Sequence, residues 1–348
     1  MGSLLLDWYD ASARDLPWRA KTDETADPYH VWLSEIMLQQ TTVATVIPYF
    51  GNFVARWPTI QDLANSDLDA VLHAWQGLGY YARARNLHKC AGVVVRELSG
   101  TFPDTEIELL KLPGIGPYTA AAIAAIAFGQ PSVPVDGNIE RVISRLHELE
   151  QPAKTITTRI AALAREMLPQ MRPGDFAQAM MDLGATVCRP TTADCHNCPW
   201  QAGCGAARSG EWARYPVKLP KPPKPTRNGI AFWLVRDDGA VFLRRRPEKG
   251  LLGGMAEVPS TEWRETDWST NEALTVAPPG SNWCALPGDI VHTFTHFHLR
   301  LSVISGTVVG AGPNDGFWSK PDTFSDHALP TVMKKVVHHA TTVLGQSS

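Results

Sequence analysis

The chain has 348 residues, 44% of them hydrophobic and 19% charged, with a net charge of -3. That length suits two globular domains, and no run is apolar enough to cross a membrane. The slight negative balance excludes a protein that holds nucleic acid by bulk charge, so any such contact must come from local basic patches.

From Leu4 to about Leu183, apolar residues recur at intervals of three and four, with breaks at Pro17, Pro48, Pro58, Gly100 and Pro131. This predicts an all-α domain. In WLSEIMLQQT (Trp32 to Thr41), Glu35 shares a helix face with Val31, Leu38 and Thr42, so its carboxyl sits on a largely apolar stripe. Such surroundings raise a carboxyl pKa, and an acid protonated near neutral pH can donate to a purine nitrogen. The ordinary alternative is an exposed or salt-bridged helix glutamate. In WQGLGYYARARNLHK (Trp75 to Lys89), Tyr80 belongs to an aromatic pair after a glycine turn, and Arg83, Arg85, Lys89 and Arg96 form a basic strip. Glu108 to Phe128 reads as helix, tight turn, helix. Gly114 and Gly116 free the turn backbone to aim amides at a phosphate, although a glycine turn between helices is more often only a turn. In VPVDGNIERV, Asp136 is an expected helix N-cap.

The run CRPTTADCHNCPWQAGC then places Cys188, Cys195, Cys198 and Cys204 in one loop-rich segment, residues 188–204. Four thiolates with a single C-x2-C pair point first to a cubane iron–sulfur cluster and second to zinc. Two disulfides would need an oxidising compartment, and no charged-then-apolar leader directs the chain to one. Cys90 and Cys284 are expected to be free, buried thiols. Between Cys188 and Arg227 there are seven Lys or Arg against Asp194 and Glu211, a second basic strip. It includes a linker, residues 216–228, too proline-rich for helix or central strand. Beyond it, GIAFWLV, AVFLRRR, DIVHTFTHFHLRLSVISGTVV and GFWSK read as strands and ALPTVMKKVVHHATTVL as a helix, an α+β domain over residues 229–348. HTFTHFHL alternates as a strand would, with Thr293, Thr295 and Phe297 on one face and His292, Phe294, His296 and His298 on the other. A zinc site on these histidines has no acidic or cysteine partner nearby in sequence to support it.

The order of LPGIGPYTA, VPVDGNIERV and the four-cysteine loop resembles the helix-hairpin-helix DNA glycosylases that carry an iron–sulfur cluster. WLSEIMLQQT and WQGLGYYARARNLHK are most similar to the MutY-type adenine DNA glycosylases, and AVFLRRRPEKGLLGGMAEVP and HTFTHFHL resemble that family's Nudix-like recognition domain, so the likeness spans essentially the whole chain. It implies an all-α helix-hairpin-helix glycosylase domain, residues 1–215, holding one [4Fe-4S] cluster on the four cysteines, followed by an α+β Nudix-like domain.

The resemblance further implies Glu35 as general acid, Asp136 as the carboxylate that stabilises the oxocarbenium-like sugar, and Asn138 and Tyr118 as helpers nearby. Related enzymes that also cut the strand have a lysine nucleophile where this chain has Tyr118. No amine is there to form a Schiff base, so the chain is expected to stop at the abasic site. Gln39, Gln40 and Tyr80 suit wedging beside the partner base while adenine is flipped out, with Gly114 and Gly116 on the backbone. Trp18 and Arg19 are implied as adenine-pocket residues. Phe294, Thr295 and His296 correspond to the loop that senses 8-oxoguanine, with threonine at the family's serine position. The expected partner is double-stranded DNA containing adenine opposite 8-oxoguanine, bound by a monomer that is cytoplasmic, and nucleoid-associated if its source is bacterial. Among the rivals, diphosphate hydrolysis lacks the glutamate-rich Nudix helix after Glu257, a non-catalytic DNA-binding scaffold leaves Glu35, Asp136 and Tyr118 unexplained, and a same-fold glycosylase for thymine leaves the Nudix-like domain unexplained.

Overall fold

The computed structural model describes residues 1–21, 24–220, 222–248 and 250–345. Their contacts form two units: Met1–Leu68 with Arg83–Pro220, and Asp69–Ala82 with the described residues after Pro220. The segment Asp69–Ala82, read from the sequence as part of the helical domain, thus belongs by its contacts to the second unit.

Along the first 220 residues run α1 (Gly2–Ser12), α2 (Pro28–Leu38), α3 (Val43–Arg56), α4 (Ile60–Ala64), α5 (Leu68–Ala74), α6 (Ala82–Glu97), α7 (Glu106–Leu109), α8 (Pro117–Phe128), α9 (Gly137–Leu146), α10 (Thr157–Glu166), α11 (Pro173–Asp182) and α12 (Gly205–Ser209). Their starts are written in side-chain caps. Asp27 accepts from the Tyr29 amide with Pro28 at the first helical position, Thr59 and Asp62 form a reciprocal capping box, and Asp136 caps α9. Pro48 does not break the chain as expected; it lies inside α3, whose Val46, Phe50 and Phe53 are buried, so tertiary packing outweighs the lost backbone bond. Thr42 does not share the Glu35 face either. The helix ends at Leu38, and Thr42 instead caps α3 by accepting from the Thr45 amide.

Alanine-rich α8 is buried from Thr119 to Ala125 and packs against α2, α7 and α11, which brings the ends of several elements close to its start. One core of this unit joins α1, α9, α10 and α11 around Ile139, Ile143, Phe176 and Met180, and Cys188, Cys198 and Cys204 pack against its edge. At Asp182, α11 passes into a π turn, Leu183–Val187, that delivers the chain to Cys188. Gly184 in that turn is fixed by close approach, since a Cβ there would stand 2.6 Å from Asn138 Cβ.

The second unit is a six-stranded mixed sheet of β1 (Thr226–Arg236), β2 (Val241–Arg245), β3 (Ala256–Glu257), β4 (Ser281–Thr293), β5 (His298–Val308) and β6 (Phe317–Ser319), in the order β3-β2-β1-β5-β4 with β6 paired to β2. Central β1 runs parallel to β5, Thr226 opposite His298, and is buried on both faces: Ala231 and Trp233 join the core under the final helix α14 (Thr331–Gly345), and Ile230 and Phe232 join a smaller cluster with Ile304 and Ala273 of α13 (Thr270–Leu274). HTFTHFHL is not one strand. β4 ends at Thr293 and β5 begins at His298, and the Phe294 amide donates to Phe297 O at 2.9 Å, so residues 294–297 form a hairpin tip. Four aromatics pull the chain over there: Phe294 stacks on Trp263 at 5.7 Å and meets Phe297 at 4.8 Å and His292 at 4.6 Å.

All six cysteines are free; Cys90 is buried as expected, but Cys284 is exposed on β4 beside an irregularity in its pairing with β5. No described helix is long and apolar enough to cross a membrane.

Candidate active site and cluster loop

Glu35 is 5% exposed, on the inward face of α2, and its Oε2 has no hydrogen-bond partner among the described residues. It lines a cavity of about 40 Å³ with Trp18, Arg19, Ser34, Gln178 and Met181. Burial is the main cause that pushes its carboxyl up to about 7; the Tyr118 phenol and the Arg19 charge pull against this, and the Asp136 charge adds to it. The Tyr118 hydroxyl donates to Met181 Sδ at 3.9 Å, so the phenol stands beside the carboxyl without saturating it. Burial, reinforced by the Glu35 and Asp136 charges, drives the Tyr118 phenol well above its ordinary value and keeps it neutral. A carboxyl that carries its proton near neutral pH on the wall of a cavity can act as a general acid.

Asp136 is held differently. Its Oδ1 accepts from the Asn138 and Ile139 amides at 2.9 and 2.8 Å, and its Oδ2 accepts from Asn138 Nδ2 at 2.7 Å. The half-buried carboxylate therefore caps α9 and is aimed by Asn138, a fixed negative charge against which a cationic sugar can form. Asn138 Oδ1 in turn accepts from Arg141 at 2.8 Å, and Arg141 also donates to Gly184 O and Cys188 O at 2.7 Å each. One helical turn on, Arg145 donates to Cys188 Sγ at 3.2 Å and to Arg189 O at 2.9 Å. Two buried arginines on one face of α9 thus tie the capped aspartate to the cysteine loop.

The four loop cysteines line one cavity of about 30 Å³ with Arg145, Asp194 and Trp212. Among the described residues no three His, Cys, Asp or Glu side chains stand close enough to share a single metal ion. Four soft donors spread around a common space fit a cluster that brings its own volume.

At the C-terminal end of α2, Gln39 Nε2 donates to Thr119 Oγ1 at 3.2 Å, and Gln40 is exposed with φ 59°. Arg83, counted in the sequence as part of a basic strip, is engaged there: it donates to Ile36 O and Met37 O, both at 2.9 Å, and to Thr41 Oγ1 at 3.2 Å. Gly114 needs its glycine, because its φ is 77° and a Cβ there would stand 2.7 Å from Asn86 Cβ, and Gly116 caps α8 with open space around it. In the second unit, exposed Tyr80 (φ 48°) joins its hydroxyl to Thr295 Oγ1 at 2.6 Å, His296 is exposed beside it, and Phe294 is tied into the aromatic cluster. Gln40 and Tyr80 both hold the left-handed backbone that non-glycine residues rarely adopt. Glu257 is buried in ion pairs with Arg244, at 2.7 Å, and Arg246, and no glutamate-rich helix follows it among the described residues.

Sequence reasoning missed Gln178, Arg14, Asp182, Arg141 and Arg145. The last two had a signal: two arginines four apart in NIERVISRL share a face with Asn138 on an otherwise apolar helix side. Asp182, a lone charge within MMDLGA, had another.

Residues 33–166 match the HhH-GPD superfamily of base excision DNA repair proteins, and residues 230–339 match the NUDIX domain. The chain is 36% identical to the adenine DNA glycosylase of Homo sapiens, over 95% of this chain and 72% of that one. It is 33% identical to the adenine DNA glycosylase of Buchnera aphidicola subsp. Acyrthosiphon pisum (strain APS), over 86% and 85%. Among solved structures it resembles a thermostable thymine-DNA glycosylase, with TM-score 0.54 and 29% identity over 60% of this chain and 95% of that one. With a buried acid, a capped aspartate and a cysteine loop in one helical unit, and relatives aligned through both units, the chain belongs to the adenine DNA glycosylase family.

Proposed function

We propose that the protein hydrolytically removes adenine from duplex DNA where it faces 8-oxoguanine or guanine, and stops at the abasic site. The observation that carries this reading is the Glu35 carboxyl, buried and with one oxygen unpartnered on the wall of a cavity, in the same unit as an aspartate fixed by backbone amides. A cavity of about 40 Å³ has room for a water or two rather than a purine. The flipped base must therefore widen it, moving between Trp18, Arg19 and Gln178. Glu35 then gives its proton to the departing base, Asp136 stabilises the sugar cation, and water adds to the sugar carbon, releasing a proton that restores the Glu35 acid. Tyr118 stays a neutral phenol beside both carboxyls. It offers no amine for a Schiff base, which supports a glycosylase without strand cleavage.

Cys188, Cys195, Cys198 and Cys204 would hold a [4Fe-4S] cluster, which when bound cross-links the loop and leaves no iron position open to substrate. Gln39, Gln40 and the backbone at Gly114 and Gly116 are assigned to duplex contact; Tyr80, Phe294, Thr295 and His296 are assigned to the base opposite adenine. The reading takes residues 1–215 as the glycosylase domain, 216–228 as linker and 229–348 as the recognition domain of a monomer working in the cytoplasm or nucleoid.

The test is single-turnover cleavage of labelled duplexes carrying adenine opposite 8-oxoguanine, adenine opposite guanine, thymine opposite guanine, or only normal pairs, each split with and without alkali. Breaks after alkali alone, fastest opposite 8-oxoguanine, support the proposal. Breaks without alkali would overturn the monofunctional reading, and preference for the thymine mismatch would overturn the substrate.

A further inference from the structure

Asp182 is the most completely enclosed charge near the Glu35 cavity, and nothing in the reaction described so far uses it. Its side chain is 0% exposed, and both of its oxygens are occupied by two arginines that reach it from the segment after α1. Arg14 donates from its backbone amide to Oδ2 at 3.1 Å and from Nε to Oδ1 at 2.7 Å. Arg19 forks onto the same carboxylate, Nη1 to Oδ2 at 2.8 Å and Nη2 to Oδ1 at 2.7 Å, and Nη1 also donates to Arg14 O at 3.1 Å. The two arginines are themselves wall residues of the cavity that holds Glu35. A buried carboxylate so bound is costly to break, and its ionised form is what keeps two guanidinium groups in place.

The charges facing Glu35 can be counted by element. The helix α8 brings Tyr118, the N-cap of α9 brings Asp136, and the segment after α1 brings Arg19 and, farther along the cavity, Arg14. From α3 comes only Val43, and α11 contributes the neutral Gln178 and Met181. Tyr9 lies under Arg19, its phenol pushed up to about 12 by burial. Without Asp182, two uncompensated positive charges would stand at the wall of the general acid's cavity. An opposite charge at short range favours the ionised carboxyl, which has no proton to give.

We propose that Asp182 is a positioning residue: by offsetting one of the two positive charges of Arg14 and Arg19 and clamping both at the cavity wall, it leaves Glu35 able to keep the proton that it donates. The proposal rests on the reading of Glu35 as general acid and names the group that sets its working range. The two oxygens of Asp182 also fix the plane of the Arg19 fork. Asp182 itself stays ionised: burial alone would raise it, and the arginine hydrogen bonds more than reverse this and hold it below the ordinary carboxylate range.

The experiment is the pH profile of single-turnover adenine release by the full chain with its cluster loaded, for the unaltered protein, Asp182→Asn and Arg14→Gln. In the unaltered protein the rate falls as pH rises through the Glu35 transition. Asp182→Asn should move that fall to lower pH, and Arg14→Gln, which leaves Asp182 matched to one arginine, should move it to higher pH. Each shift is expected to be roughly half a unit to one unit. Generalised structural damage lowers rates without moving two variants in opposite directions. Arg14 is 26% exposed at its side chain, so its variant keeps the question decidable should Asp182→Asn not fold. Profiles whose midpoints stay where they were, whatever their heights, overturn the proposal. An unaltered protein with no such fall, or a Glu35→Gln variant as fast as the parent, overturns the general-acid reading and this proposal with it.

Discussion

Glu35 in the helical unit and Thr295 in the second unit are opposites in solvation. The first is 5% exposed with an oxygen that no described residue satisfies, and the second lies open at a hairpin tip, bonded to the Tyr80 hydroxyl at 2.6 Å. A buried carboxyl with one oxygen unpartnered is a standing cost to folding. An exposed hydroxyl pair costs almost nothing, can trade its bond for one to a ligand, and contributes correspondingly little on its own. On the proposed reading, chemistry falls where the protein is least comfortable, and recognition where it is most adaptable.

The sharpest way to break this contrast is Glu35→Gln. The substitution keeps size and removes the proton donor, and single-turnover adenine release should fall about 10²- to 10⁴-fold. Asp136→Asn should follow, with a loss of roughly 10²- to 10³-fold. Asparagine caps a helix about as well as aspartate, so thermal unfolding should barely shift and the charge alone would be tested. The third prediction concerns stability. The Glu35 carboxyl is raised from 4.5 to about 7 in the fold, so the folded chain holds a proton that the unfolded chain releases. The stability from that bound proton is full below about pH 4.5 and is lost as pH rises through about 7. Glu35→Gln escapes the loss, and at pH 8 should be more stable than the parent by roughly 3 kcal/mol, a gain that shrinks towards zero at pH 4.5; denaturant titration at the two pH values measures it. Smallest is Thr295→Ala, which removes the exposed bond to Tyr80. It should leave the rate on the adenine–guanine duplex near parental and lower the preference for 8-oxoguanine by about two- to tenfold. Equal loss on both duplexes would place the hairpin tip on the chemical side of the contrast.

What the sequence made legible was what it encodes locally. Asp136 reads as a cap because its acceptors lie two and three residues away, the four cysteines lie within one loop, and Glu35 sits in a run whose apolar spacing is visible. What it hid is made by distant pairing. Arg14 meets Asp182 across 168 positions, and Arg141 reaches Cys188 across 47. The tip at Phe294–Phe297 was misread because its alternation is that of a strand. The turn there is made with distant Trp263, against which Phe294 and Phe297 pack. Cys284 was expected inside because thiols usually are, and the irregular pairing of β4 turned it to solvent.

The division of the chain into units has a practical consequence for anyone cutting it. The proline-rich segment before β1 looks like the single thread between two domains, yet the chain crosses from one unit to the other three times, near residues 68, 82 and 220. A protease that nicks the proline segment would therefore leave Asp69–Ala82 covalently attached to the earlier fragment. A fragment beginning at residue 229 would lack that segment, and with it the bonds that Asp69, Gln76 and Tyr80 make to Arg245, His327 O and Thr295.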